Sequence, residues 1–220
     1  IVSLLVAVSI SVMAIAQTIE PDSVSVKVPI WQGITIETDV VPLVTNFLND
    51  AKTFRYEAAG RINLLNQYYP VVEVGYEGQQ KIMKSGTNFM ASGLFYRLGL
   101  DFNLVKKKED KAADNKFLVG ARLGFSNFNY DMLNMKVRDE YLQQDFQQDF
   151  TNLTSNSLWF EVVAGIRIEV FKRVTLGWTA RLKNQFGEPE PGTFQPYSIP
   201  GYGISGGNVW AFNYMIGYQF

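Results

Sequence analysis

Apolar and polar positions alternate along most of the chain. The pattern is sharpest over residues 158–170. There Leu158, Phe160, Val162, Ala164, Ile166, Ile168 and Val170 share one face, and Trp159, Glu161, Gly165, Arg167 and Glu169 share the other. A period of two is that of a β-strand whose two faces meet different surroundings. The same reading places strands over 33–41, 55–65, 69–77, 88–104, 117–128 and 174–186. An eighth covers the last eleven residues, where Trp210, Phe212, Tyr214, Ile216, Tyr218 and Phe220 form one aromatic face.

The connections alternate between short and long. Asn66-Gln67, the charged run Lys106–Lys111 and Lys172-Arg173 are short turns. Between them lie longer segments, including a polar stretch over 129–156 and a Gly/Pro-rich one over 187–207. An even strand number with turns on one side and loops on the other predicts an all-β fold: an eight-stranded antiparallel up-and-down transmembrane β-barrel with a polar, side-chain-filled lumen. A soluble lipocalin-like barrel would instead turn the apolar face inward. Three features favour apolar-out. Eight strands carry more bulky apolar side chains than so narrow a lumen holds. The strand glycines, among them Gly75, Gly93, Gly99, Gly120, Gly124, Gly165 and Gly177, lie on the charged face, where small residues make room for long ones. That face is also balanced in charge, and buried charges have to pair. Glu37, Glu57, Arg61, Glu73, Arg97, Asp101, Arg122, Glu161, Arg167 and Arg181 are the candidate lumen network.

Composition agrees with that picture. Aromatic residues make up 14% of the chain, as interfacial girdles require. The formal net charge of −1 argues against nucleic acid as a partner. The first fifteen residues are almost wholly apolar, and Ala14-Ile15-Ala16 matches a small-x-small cleavage pattern before Gln17. The expected organisation is therefore a secretory signal peptide over 1–16, truncated at its start, a periplasmic lead-in over 17–29, and the barrel over 30–220. No cysteine follows the cleavage pattern to carry a lipid anchor.

These features together, ending on Tyr218-Gln219-Phe220, resemble a small outer-membrane β-barrel of OmpA/OmpX-type architecture. The flavour is similar to the uncharacterised outer-membrane barrel families of Bacteroidota. The resemblance implies the outer membrane of a Gram-negative bacterium, with both termini periplasmic. Its implied partners are outer-membrane lipid, the barrel assembly machinery, which reads a C-terminal signal including Tyr218 and Phe220, and a further outer-membrane protein. Asp22-Ser23-Val24 resembles a short O-glycosylation motif of the same bacteria, a pattern that also arises by chance.

Candidate chemistry is sparse. Histidine and cysteine are both absent, so Ser-His-Asp catalysis, histidine-based metal hydrolysis and thiolate metal sites have no residues to work with. No cofactor, metal or catalytic residue is expected. The lumen carboxylates read as charge pairs rather than a glycosidase acid/base pair. Gly201–Gly207 reads as a flexible surface loop, since it precedes a strand and not a helix. In the polar stretch, Leu142, Phe146 and Phe150 recur at i, i+4, i+8, which suits a short amphipathic helix. Tyr141, Leu142, Phe146 and Phe150 are the candidate partner-contact loop, and Asp145 and Asp149 a weaker metal candidate. The expected function is that of a non-enzymatic outer-membrane barrel with a structural or interaction role, a subunit of a larger assembly being one form of it. The alternatives are a small-ligand or lipid binding and transport barrel, and a soluble lipocalin-like carrier.

Overall fold

A computed structural model of the chain describes residues 29–48, 53–105, 115–139, 144–186 and 195–220. The signal-peptide and lead-in readings, and Tyr141 and Leu142, lie outside the described residues. The elements are β1 (Trp31–Asp39), α1 (Val40–Leu48), β2 (Thr53–Leu64), β3 (Tyr68–Ile82), β4 (Asn88–Asn103) and β5 (Lys116–Asp139). They continue with β6 (Gln144–Phe171), β7 (Val174–Gln185), β8 (Ser198–Ile199), β9 (Gly203–Ile204) and β10 (Val209–Gln219). Eight of the strands form one antiparallel up-and-down sheet, each pairing with its neighbours in sequence order. The sheet closes on itself because β10 pairs with β1 over Thr35–Asp39. The remaining two, β8 and β9, form a small sheet of their own.

The alternation decides which side chains point where. Outward positions are even-numbered on every ring strand except β5, where they are odd. They carry Ile36, Val72, Leu98 and Phe212, which are 52%, 57%, 61% and 74% exposed. Inward positions carry the charged residues and most of the strand glycines. At Gly124 a Cβ would stand 2.1 Å from the ring of Trp159, and at Gly75 it would stand 2.2 Å from the ring of Phe95. Only hydrogen fits at those two points, so the interior is packed with side chains.

The ring is uneven. On one side β1 has 9 residues, while β5 and β6 have 24 and 28. The reading of 129–156 as a polar loop with a short helix is corrected here: both strands run on into it and pair with each other, β5 as far as Asp139 and β6 from Gln144. Its polar residues leave the ring and meet solvent on both faces, so the alternation fades without the strand ending. Two kinks mark the change of phase. Asn134 and Asn152 adopt left-handed φ of 57° and 62°, where asparagine is tolerated. Asp149 Oδ1 accepts the Asn134 amide and Asp131 Oδ1 accepts the Asn152 amide, each at 2.7 Å.

The first strand also stops earlier than its pattern suggests. Asp39 ends β1, and its carboxylate accepts the Val41 amide at 3.2 Å, an N-cap that starts α1, with Pro42 in the first turn. Asn46 then stands in for a strand. Its side chain accepts from the Arg55 amide at 3.1 Å and donates to the Arg55 carbonyl at 2.8 Å. The edge that β2 would leave open above β1 is closed there.

Candidate functional site

All ten residues of the candidate lumen network are buried inside the ring. At the end nearer β1's start, Arg167 holds Glu37 with two bonds, Nε to Oε1 at 2.9 Å and Nη2 to Oε2 at 3.0 Å. Arg61 bridges Glu37 at 2.5 Å and Asp101 at 2.9 Å, and Arg122 also grips Asp101 at 2.7 Å. Further in, Glu73 is the hub. It accepts from Arg97 at 2.9 Å, from Arg122 at 3.4 Å, and from both terminal nitrogens of Arg181 at 2.7 and 3.1 Å. Glu57 pairs with Arg97 at 2.9 Å and also with Arg55. Glu161 takes Arg97 at 2.8 Å, Arg181 at 3.1 Å and the Trp159 indole N–H at 2.7 Å.

Each of the five network carboxylates, Glu37, Glu57, Glu73, Asp101 and Glu161, faces at least one guanidinium at hydrogen-bond distance. No cluster of three or more metal-ligating side chains occurs among the described residues. Asp149, one of the two metal candidates, is committed to the Asn134 amide.

Above the charged zone the interior changes character. Phe89, Phe95, Phe128, Tyr130 and Trp159 form a buried aromatic cluster with Ala91 and Met132. Into it turns the segment between β8 and β9, which corrects the surface-loop reading of Gly201–Gly207 at Gly201 and Tyr202; Ile204, Gly206 and Gly207 are exposed. Ser198 to Tyr202 is buried, with Ile199 and Tyr202 each 1% exposed. Gly201 lies on Phe95 at a φ of +79°, and Tyr202 meets Trp159 edge-on with centroids 5.7 Å apart. The Gly201 carbonyl accepts from Arg97 at 2.8 Å and from Lys183 at 2.7 Å, and Lys183 also reaches the Tyr202 carbonyl at 3.1 Å. Glu77 accepts the Gly201 amide at 2.7 Å. The glycines that read as flexibility permit a tight turn into a crowded interior.

The remaining candidates divide between surface and core. Phe146, opposite Val137 on the hairpin, is 45% exposed. Phe150, opposite Met132, is half-buried and packs against the aromatic cluster. Both belong to a strand, which corrects their placement on a helical loop. Tyr218 and Phe220 face outward at 41% and 68% exposure with rings 4.9 Å apart, and the Phe220 amide bonds the Ile34 carbonyl at 2.8 Å. Sequence reasoning missed Phe89, Phe95, Phe128 and the inward turn. Phe95 lies between Gly93 and Arg97 on the inward face, so its register was available as a signal.

The class that this architecture defines is an all-β protein whose eight-stranded antiparallel sheet closes around a charged, packed interior. The chain belongs to a family described as a domain of unknown function, DUF6048, whose model matches residues 1–220. No curated protein matches it.

Proposed function

We propose that this protein is a non-enzymatic β-barrel of a Gram-negative outer membrane, with a structural or interaction role exercised through its β5–β6 hairpin. One observation carries the reading. The outward positions of the ring hold no charged side chain: even-numbered from 34 to 38, 54 to 64, 68 to 80, 88 to 102, 156 to 170, 174 to 184 and 210 to 220, and odd-numbered from 117 to 129. A band of that size facing water would drive association, whereas in a bilayer it is the surface the solvent requires. The 9 to 12 residues of β1, β2, β7 and β10 suit a tilted crossing. A closed ring leaves no backbone edge to the hydrocarbon. The resemblance to Bacteroidota barrels supports the compartment, with the turns and termini on the periplasmic side. The hairpin then projects outward, and among its described residues Phe146 is the exposed aromatic.

The test is gel mobility of the folded chain, boiled and unboiled, after fractionation of the outer membrane. A heat-dependent shift of a membrane-resident band is expected. A chain that stays in buffer without detergent and shows no shift would end the membrane reading. For the interaction role, Phe146→Ser is expected to remove co-purifying protein while leaving the shift intact. An unchanged set of partners rejects the hairpin as the contact.

A further inference from the structure

The outer half of the interior has the form of an occupied binding site. Its walls are the aromatic rings of Phe89, Phe95, Phe128, Tyr130 and Trp159. Its floor is cationic: Arg97 and Lys183 converge on one carbonyl oxygen, that of Gly201, at 2.8 and 2.7 Å. Lys183 is buried and has no carboxylate within ion-pair distance among the described residues; its acceptors are the Gly201 and Tyr202 carbonyls. Arg97 is shared with Glu57, Glu73 and Glu161, whereas Glu77, half-buried, faces the same peptide from its amide side.

The occupant is separable from the ring. The backbone ladder of residues 198–204 runs between β8 and β9, and the ring bonds this segment through the side chains of Arg97, Lys183 and Glu77. Gly201, Gly203 and Gly206 all hold positive φ, so the turn rests on glycine backbone and not on the ladder. Its departure breaks no ring strand.

We propose that this cup is a binding site for a small aryl or alkyl carboxylate, and that the inward turn is its resident occupant, which such a ligand replaces. A carboxylate supplies two charged oxygens to the two donors that now share an uncharged amide oxygen, and charge-assisted bonds are the stronger ones. The apolar body of the ligand takes the places of Ile199 and Tyr202 against the rings. The site lies inside the closed sheet, so this inference does not depend on the hairpin contact or on the membrane proposed above.

The test uses 3-phenylpropionate, 3-phenylpropanol and 3-phenylpropylamine, which share one body and differ in the head group. Trp159 fluorescence reports occupancy in a chain carrying Trp31→Phe, Trp178→Phe and Trp210→Phe. Ile199→Gly with Tyr202→Gly empties the cup, and Tyr202→Ala is a milder second variant. A β-sheet circular-dichroism spectrum with a cooperative thermal transition establishes that each has folded. The carboxylate is expected to bind the emptied chain about tenfold or more tightly than the alcohol and the amine. Lys183→Gln in that background should remove most of the preference. Binding to the unaltered chain is expected to be weaker, because the turn competes. Equal affinity for the three heads, or no binding to a folded emptied variant, overturns the proposal; so does selectivity that survives Lys183→Gln.

Discussion

Glu73→Gln is the most informative single change in the interior. Glu73 is 1% exposed and its two oxygens face Arg97, Arg122 and Arg181 at 2.7–3.4 Å. Glutamine keeps the shape, removes the charge and turns an N–H donor toward guanidinium groups that can only donate. Removing one partner of a buried ion pair costs about 3–5 kcal/mol. Three guanidiniums lose their shared acceptor here, so a loss of about 4 kcal/mol is expected. A double-mutant cycle locates the effect. Glu73→Gln with Arg181→Gln should couple by about 2 kcal/mol, since the two share two hydrogen bonds. Arg167 spends its carboxylate contacts on Glu37, so its cycle with Glu73 should be additive within about 0.5 kcal/mol. Urea unfolding, read by the fraction of heat-shifted band, supplies the free energies. A loss below about 1 kcal/mol for Glu73→Gln, or equal coupling in the two cycles, would refute the account of a contact-specific network.

Two further outcomes follow from the packing and the hairpin. Gly124→Ala places a methyl 2.1 Å from the wholly buried Trp159 and should cost about 1–3 kcal/mol in the same unfolding assay, whereas Gly60→Ala points into open space and should stay within about 0.5 kcal/mol of the parent. Replacing Asp131 and Asp149 with Ala removes two 2.7 Å bonds to backbone amides. Hydrogen exchange at Asn134 and Asn152 should quicken while that at Arg97 holds, and uniform loosening would show that the hairpin and the ring unfold together.

Much of the ring was legible from alternation because each strand has two unlike faces. Val162 against Glu161, or Leu98 against Arg97, fixes both strand and direction, and the inward glycines follow from what must pass beside them. Legibility failed where that contrast failed. Beyond Met135 the hairpin is wet on both sides, so Gln147 and Gln148 carry no facing information and the strand read as a loop. Ser198–Tyr202 is too short for any period, and its burial depends on donors that only the assembled ring brings together: Arg97 from β4 and Lys183 from β7. At Val40 the apolar pattern continued while the Asp39 side chain had already capped a helix. The ten network residues were chosen by face and charge alone; their pairing into a hub at Glu73 is a property of register across strands up to 108 residues apart.

The unequal wall gives the molecule a heading. In an eight-membered ring, β5 lies diametrically opposite β1, so the longest ladder stands across from the shortest strand and its helix. The rim is thus a slope, low at α1 and high at the hairpin. A body arriving from directly above meets the same molecule whatever its rotation about the ring axis, but a lateral neighbour does not. From the α1 side it finds a low threshold bearing Val41, Leu43 and Val44; from the far side it finds a two-stranded blade. Rotation about the ring axis therefore changes what a neighbour in the same layer can touch, and any ordered array of this protein would have to fix that angle.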